Sequence, residues 1–492
     1  MFEPIQRCWL RAAALALLCA TAACSPTEYQ NTKLDSGAAN PERRSIAPSS
    51  PDRPTILMTF SGGGTRAAAL AESVLRYMKG TTYIGADGQQ HRLIDDVRLV
   101  SSVSGGSVTA AWFGLRGPDG LDDLRSQFLT QDNMRRLELD AVNPITWFRL
   151  AFTKFTRIRA EEDLFDAELF RGATMGELNQ PGKPFILPNT TDMAGGQTFV
   201  FSPQRFDDIC SNFDALKIST AVASSAAFPI ALSPVDFQNH SGDACAGMLR
   251  QDQWATVALN NPYSQYLNLP NYRDARYTND LRRGKYPFRN IEYLHFLDGG
   301  LADNLGVKTL RSAMVSSHDA VGGLFAINTG QIGRLVVIMV NARSDPPNGL
   351  YQKPNTPGLI DSINAVAGAP IDANTANSAL ALQALLTELE QAAQGARSNA
   401  GFKGMKIYGI TVDYDQLPAD TPENRALRDA AKDVPTTWTL SPDQLAVTEQ
   451  VGQFLLARHP CFIQLTADLQ ATTPSGPPAA SPVPCPTRAI TK

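Results

Sequence analysis

Residues Ser101 to Val108 read Ser-Ser-Val-Ser-Gly-Gly-Ser-Val, and the expected fold is built around this stretch. A mostly apolar run, Val97 to Val100, precedes it, and a small-residue segment that starts at Thr109 follows it. The pattern predicts a strand that turns at once into a helix, with Ser104 at the turn. Such a turn pushes the Ser104 hydroxyl into the open, and the helix that follows directs its first amide groups to the same place. For this stretch alone, the alternative is a Ser/Gly-rich loop without chemistry.

Two other predicted strands also end in unusual residues. Thr55 to Phe60 runs into Gly-Gly-Gly-Thr-Arg at 62–66 and then into a helix rich in alanine and leucine. Tyr293 to Leu297 runs into Asp-Gly-Gly at 298–300. Strands that alternate with glycine turns and helices predict a parallel sheet covered by helices on both faces. Because active sites in such sheets gather at the carboxyl ends of the strands, we expect these strand ends to meet.

Ser104 and Asp298 are predicted to form a catalytic dyad. A serine nucleophile needs a base within hydrogen-bond reach, and the flanking Gly299 and Gly300 let the Asp298 carboxylate approach closely. His295 precedes Asp298 by three residues in a strand, so the two side chains should face opposite ways. The other histidines lie in stretches without further site-like features; they are His91, His240, His318 and His459. The sequence therefore favours a Ser/Asp dyad over a triad with histidine.

The glycine loop, Gly62 to Gly64, is predicted to support this dyad. An acyl-transfer site needs N–H groups aimed at the oxygen that becomes negative. The candidate donors are the amides of Gly63, Gly64 and Gly105. Arg66, early in the helix that follows the loop, is predicted either to steady the loop or to meet an anionic head group.

Taken in chain order, these motifs resemble the patatin-like phospholipase family. The likeness rests on residues 62–66, on Ser-Val-Ser-Gly-Gly at 102–106, on 298–300 and on Ala-Ala-Phe-Pro at 226–229. It covers roughly residues 55–345 and implies a three-layer α/β/α domain, a mainly parallel central sheet, and a Ser–Asp dyad that hydrolyses acyl esters of lipids. The chain departs from the family pattern at two positions where glycine is common, Ser102 and Ala67.

The N-terminus has the pattern of an export signal. Two arginines precede an apolar run, Ala12 to Leu18, which is too short to span a bilayer. Thr-Ala-Ala at 21–23 then leads to Cys24 and resembles the bacterial lipoprotein signal, although Thr21 stands where leucine is usual. We therefore expect a signal peptide over residues 1–23 and a lipid anchor on Cys24, on the outer membrane or its periplasmic face. Secretion as a soluble protein is the alternative.

The rest of the chain divides into three predicted parts. Residues 24–54 are expected to form a flexible tether, residues 55–465 one acyl hydrolase domain with insertions, and residues 466–492 a Pro-rich tail. Within the domain, residues 145–158 carry aromatic side chains at helical spacing with basic residues among them. This pattern is typical of a membrane-contacting helix or of a helix packed on the core.

Four cysteines remain after the signal and the candidate anchor. An even number in an oxidising compartment favours two disulfides. Proximity in sequence pairs Cys210 with Cys245 and Cys461 with Cys485.

Composition and motifs also limit the classes of ligand and cofactor that the chain is expected to bind. The net charge is −4 with no long basic run, so nucleic acid is not expected. No cofactor and no metal are expected, although calcium binding through residues 235–290 stays open. Gly62 to Ala67 also fits a dinucleotide-binding pattern, but that reading leaves Ser104 and Asp298 unexplained.

The expected partner is a membrane lipid or a lipid-like ester. The remaining alternatives are an acyltransferase or thioesterase with the same dyad and a non-catalytic lipid- or protein-binding lipoprotein; the oligomeric state stays open.

Overall fold

The computed structural model describes residues 29–35, 50–142, 157–178, 180, 182–229, 232–241, 291–315, 330–343, 359–394, 404–476 and 485. Cys24, Cys245, His318 and nearly all of the predicted aromatic helix at 145–158 lie outside these residues.

The strands are β1 (Pro54–Phe60), β2 (Thr82–Ile84), β3 (Gln90–Arg92), β4 (Val97–Val103), β5 (Phe185–Asp192), β6 (Gln197–Val200), β7 (Val235–Gln238), β8 (Tyr293–Asp298), β9 (Arg334–Asn341) and β10 (Lys406–Asp413). The α-helices are α1 (Gly64–Gly80), α2 (Gly105–Arg116), α3 (Leu121–Leu124), α4 (Asn133–Val142), α5 (Arg157–Phe165), α6 (Met175–Leu178), α7 (Pro203–Asp208), α8 (Ile218–Ala226), α9 (Gly300–Asp303), α10 (Val307–Val315), α11 (Leu359–Gln394), α12 (Pro422–Lys432), α13 (Pro442–Arg458) and α14 (Pro460–Asp468).

The main sheet has eight strands and is mostly parallel. Its order is β10-β9-β1-β4-β5-β8-β7, with β6 paired to β5 beside this path. The five strands from β10 to β5 in this order are parallel, and β6, β7 and β8 pair antiparallel. The ends of β1 and β4 therefore lie at one edge of the sheet, and the register of β8, which runs antiparallel to β5, brings Asp298 to the same level.

Helices cover both faces of the sheet because the side chains of the buried strands alternate. In β1, Ile56, Met58 and Phe60 join one apolar core with residues of α1, α2, α8 and α13. Leu57, between them, joins the other core with residues of α10 and α11. The predicted three-layer α/β/α fold is confirmed.

A serine followed by a proline, as at Ser441 and Pro442, is typical of a helix start, and α13 begins there. Ser441 caps it by accepting a hydrogen bond from the Gln444 N–H, and the Gln444 side chain bonds back to the Ser441 N–H. By contrast, α11 runs on through Pro370, where the proline predicts a break. None of the described helices is both long and apolar enough to cross a membrane.

Part of the predicted tether is packed on the domain. Gln30 donates its N–H to the Asp236 carbonyl of β7, and the Asn31 side chain exchanges two hydrogen bonds with the backbone of Gln238. Leu34 is buried against Cys210 and donates its N–H to the Cys210 carbonyl. Residues 29–35 therefore lie along the outer edge of the sheet.

The structure contains the Cys461–Cys485 disulfide, as proximity in sequence predicts. Cys210 is also disulfide-bonded. Its predicted partner, Cys245, lies outside the described residues, so the second pairing stays a prediction.

His459 should make the fold sensitive to acid. Its Nδ1 accepts a hydrogen bond from the Cys461 N–H at the start of α14, and burial lowers the pKa of His459 to about 4. Between pH 6.5 and 4 the unfolded chain therefore binds a proton at this histidine that the folded chain does not bind. The free energy of unfolding should fall by about 1.4 kcal/mol per pH unit in this window and should be unaffected by this group above it.

His459→Asn keeps a helix-capping side chain but removes the titration. Urea unfolding at pH 7.5 and pH 5.0 should show the native chain losing about 2 kcal/mol more than the variant. Equal losses in the two proteins would show that His459 does not titrate in this way.

Candidate active site

Ser104 sits at a strained turn between β4 and α2. Its φ is 51° and its ψ is −125°, a backbone conformation that residues other than glycine rarely adopt. Such strain is typical of a nucleophile held at a sharp strand-to-helix turn. The turn that the sequence predicts at this position is therefore present. The residue is only 7% exposed, so the turn does not bring its side chain into open solvent as the sequence pattern predicts.

A buried group of hydroxyls holds this turn in place. The Ser104 N–H donates to Ser225 Oγ (2.9 Å), and the Ser225 hydroxyl donates to the Asn189 carbonyl (2.6 Å). Ser107 Oγ lies 3.0 Å from Ser225 Oγ and donates to Ser102 Oγ at 3.1 Å. Ser102, which stands where the family pattern has glycine, is thus accommodated because its hydroxyl joins this group.

The glycine loop lies directly against the turn. A Cβ on Gly105 would lie 1.9 Å from the Gly64 carbonyl oxygen, and one on Gly62 would lie 3.3 Å from Ser104 Cβ. Gly63 and Gly64 have φ values of 140° and 59°, which favour glycine. Only glycines therefore allow the two segments to come so close.

The predicted oxyanion donors are available in this arrangement. Gly64 and Gly105 are the first residues of α1 and α2, and first-turn N–H groups have no acceptor within their own helix. Across the described part of the chain, the amides of Gly63, Gly64 and Gly105 donate to no other backbone carbonyl. Gly62 differs, because its N–H donates to the Asn304 carbonyl (3.0 Å).

Asp298 ends β8 at the same level of the sheet as Ser104. Val103 pairs with Asn189 on β5, and the next residue of β5, Thr190, pairs with Asp298. The Gly300 N–H donates to Asp298 Oδ1 (2.7 Å). Burial raises the pKa of Asp298 to about 6, against the lowering effects of the Gly300 N–H and of hydrogen bonding with the Ser104 side chain. The two predicted dyad side chains are therefore neighbours.

The C-terminus of α8 ties the two turns together. Besides its hydroxyl contact with the Ser104 N–H, Ser225 accepts the Gly299 N–H on its carbonyl (3.1 Å). The Ala227 carbonyl accepts the Asp298 N–H (2.9 Å). A Cβ on Gly299 would lie 2.3 Å from the Asn189 carbonyl oxygen, so glycine is required there. The motif at residues 226–229 follows directly on this helix, but the sequence pattern assigns Ser225 no role.

His295 lies on the other face of β8, as its spacing predicts. Leu294, Phe296 and Asp298 are buried, whereas His295 is exposed. Its Nδ1 lies 2.5 Å from Asp236 Oδ1 on β7. The imidazole therefore pairs with a carboxylate on the side of the sheet away from Asp298.

Arg66 anchors the glycine loop to the C-terminal part of the chain. The guanidinium is buried and donates to the Val434 carbonyl (2.5 Å) and to Thr436 Oγ1 (2.9 Å). The Thr65 N–H donates to the Thr437 carbonyl (2.8 Å). Of its two predicted roles, the structure favours steadying the loop over meeting a head group.

Glu161 is a buried carboxyl group that the sequence did not single out. It lies on α5 and is fully buried. Burial, together with the nearby charge of Asp298, raises its pKa well above the usual range, and the Trp438 side chain opposes this rise. Burial therefore disfavours the charged form of Glu161 beside Asp298. Within the described residues, no group of three His, Cys, Asp or Glu side chains could hold a metal ion.

Comparison with known proteins identifies the family. No curated protein matches the chain. A solved structure that it resembles is the heterodimeric ExoU–SpcU complex from the type III secretion system of Pseudomonas aeruginosa, with 15% identity over 90% of this chain and 84% of that chain. The TM-score is 0.19, too low for an overall superposition of the two chains. The family model for patatin-like phospholipase matches residues 58–311, just over half of the chain. The chain therefore belongs to the patatin-like phospholipase family of lipid acyl hydrolases.

Proposed function

We propose that this chain is a serine acyl hydrolase that cleaves ester bonds of phospholipids or related lipids through a covalent acyl-enzyme on Ser104. One observation carries the proposal: Ser104 sits at a strained turn between the glycine loop and the Asp298 carboxyl group. Family membership supports the lipid substrate, and the geometry supports the roles of the individual residues.

The proposed reaction has two halves. The Asp298 carboxylate takes the proton of the Ser104 hydroxyl while Ser104 Oγ attacks the ester carbonyl carbon. The tetrahedral intermediate then collapses, and the alcohol leaves with the proton from Asp298. In the second half, a water gives its proton to Asp298 and attacks the acyl-serine. The carboxylic acid is released and the proton returns to Ser104.

The amides of Gly63, Gly64 and Gly105 are proposed to bind the oxyanion in both halves. Donors fixed before the reaction need no reorganisation as charge develops, and each is typically worth about 3 kcal/mol. Arg66, through its contacts with Val434 and Thr436, keeps the loop that carries two of these donors in place.

A fluorophosphonate probe tests the nucleophile. We expect it to label one serine, with the mass shift on the peptide that contains Ser104, and Ser104→Ala should not be labelled. Ser126→Ala is the matched control, because Ser126 is exposed and its hydroxyl donates to the Asp123 carbonyl. Labelling that persists in Ser104→Ala would refute the assignment. A lipid panel scored for released fatty acid, with and without an acceptor alcohol, separates hydrolysis from transfer.

The rate should depend on the ionisation of Asp298. Because the base must be ionised and its pKa is raised to about 6, kcat/KM should be level above this pH and fall about tenfold per unit below it. A soluble chromogenic ester assayed from pH 5 to 8, with circular dichroism to verify folding, measures this profile. A rate that stays level down to pH 5 would contradict the assigned base.

Ser225→Ala should lower kcat about tenfold with little change in KM, because Ser225 positions the Ser104 backbone without touching substrate. Its loss would leave the buried Ser104 N–H without its acceptor. Ser224→Ala is the matched control, since the Ser224 hydroxyl donates to the Thr220 carbonyl within the same helix. Equal effects of the two variants would indicate general loosening of α8.

We also propose that the chain is exported and anchored through a lipid on Cys24. The small residues before Cys24 support this proposal. Cys24→Ser should move the protein from the membrane fraction to the soluble fraction of expressing cells, and mass spectrometry should find the acylated N-terminal peptide only in the native chain. An unmodified peptide in the native chain would favour the soluble, secreted form.

A further inference from the structure

The outer end of β8 extends past the candidate active site. Asp298 lies level with the carboxyl end of β4, whereas Asp192, the last residue of β5, pairs with Phe296. Tyr293 lies three residues farther out along β8. At about 3.3 Å per residue, it lies about 17 Å along the strand from Asp298. The start of β8 therefore extends, paired with β7, beyond the last residue of β5 on the side of the sheet that holds the candidate site.

Exposed apolar side chains occupy this end of β8. Tyr293 is 46% exposed and Met193 is 55% exposed. The Met193 N–H donates to the His295 carbonyl, so the two side chains lie at the same end of neighbouring strands. Tyr29, from the docked N-terminal segment, stacks on Tyr293 with ring centroids 5.3 Å apart. We call Tyr29, Met193 and Tyr293 the edge surface.

The position of Cys24 relative to this surface is restricted by covalent geometry. Tyr29 follows Cys24 by five residues, and residues 29–35 are hydrogen-bonded to β7 and to Cys210. Five residues reach at most about 18 Å even when fully extended. An anchor on Cys24 would thus hold a bilayer within about 18 Å of Tyr29, whereas a free tether over residues 24–54 would span several times that distance.

We propose that the edge surface, which lies on the His295 side of β8 and about 17 Å along the strand from Asp298, is where this protein meets a lipid bilayer. The inference rests on the proposed function, since it assigns the surface on which that reaction takes its substrate. Tyrosine suits this place because its ring and hydroxyl match the apolar and wet sides of a membrane interface. Met193 adds a flexible apolar side chain that can enter the acyl region.

The double variant Tyr293→Ser/Met193→Ser tests the proposal on phosphatidylcholine vesicles. Binding is measured by co-sedimentation in a Ser104→Ala background, so that it is scored whether or not the chain hydrolyses esters. Cys24→Ser is included, so that no anchor contributes. We expect the partition coefficient of the double variant to be at least fivefold below that of its parent, with unchanged circular dichroism and Tm.

Ile84→Ser is the matched control. Ile84 is 63% exposed and lies on β2, between α1 and β4. Helix α1 leads away from the carboxyl end of β1, and the chain then re-enters the sheet at the start of β4. Ile84 therefore lies at the end of the main sheet opposite to the candidate site. It should bind like the parent. The proposal is overturned if the parent does not bind, if the double variant binds as well as the parent, or if Ile84→Ser weakens binding equally. Failure of the proposed hydrolysis is a separate result: the native chain would bind the vesicles but release no fatty acid from them.

Discussion

Replacing Ser104 with alanine is expected to reduce hydrolysis of a soluble chromogenic acyl ester to the uncatalysed rate, a loss of at least ~10³-fold. Asp298→Asn should come close to this, with a loss of about 10³- to 10⁴-fold, because an amide cannot take the proton of the Ser104 hydroxyl. The asparagine keeps the size of the side chain and an oxygen that can accept the Gly300 N–H. Steady-state kinetics on purified protein, with circular dichroism to verify folding, measures both effects.

His295→Ala is the control that separates a dyad from a triad. His295 is paired with Asp236 on the far side of β8, so its removal should change turnover of the soluble ester by less than about twofold. A folded His295→Ala protein as inactive as Asp298→Asn would restore the triad. Normal turnover by Asp298→Asn would instead point to another base.

The fold and the closeness of Ser104 to Asp298 could be predicted from the sequence because each depends on local patterns. The strands are apolar runs that end in glycine, serine or aspartate, and the order of strands and helices then sets a parallel sheet. Once the sheet is parallel, the ends of β1 and β4 must share one edge. The parallel pattern alone does not place Asp298 at that edge, because β8 runs antiparallel to β5.

The supporting contacts could not be read in the same way because their partners are distant in sequence. Arg66 binds a segment 368 residues away, at Val434, which carries no helix or strand pattern. Glu161 lies on α5, and its burial depends on how α5 packs against α8, which comes later in the chain. Neither position has a spacing or composition that predicts its partner.

Ser102 shows how packing resolves a local mismatch. A serine where the family pattern has glycine suggests crowding at the nucleophile turn. In the fold, Ser107 donates to the Ser102 hydroxyl within a buried group that also includes Ser225. Because Ser225 comes from a helix later in the chain, 118 residues after Ser107, the compensation becomes visible only once the layers are assembled.

Gly105→Ala is expected to disable the candidate site through the backbone alone. The added Cβ would lie 1.9 Å from the Gly64 carbonyl oxygen and 2.9 Å from Gly64 Cα, and backbone atoms cannot move aside as a flexible side chain can. The glycine loop or the start of α2 must shift, which separates the oxyanion donors from Ser104. Because a misplacement of about 1 Å costs about 10²-fold, kcat/KM should fall by at least this factor.

Gly368→Ala is the matched control for Gly105→Ala, since a Cβ at Gly368 in α11 would have none of the described residues within 4 Å apart from the nearby backbone of its own helix. It should keep native turnover and leave stability unchanged or slightly higher, because alanine favours a helix interior. Fluorophosphonate labelling of Ser104 should slow in Gly105→Ala as turnover does, since the phosphonyl oxygen needs the same donors as the oxyanion. If Gly105→Ala lost turnover but was labelled at the native rate, the N–H groups of Gly63, Gly64 and Gly105 could not be the donors, because the probe and the substrate would then depend on different groups.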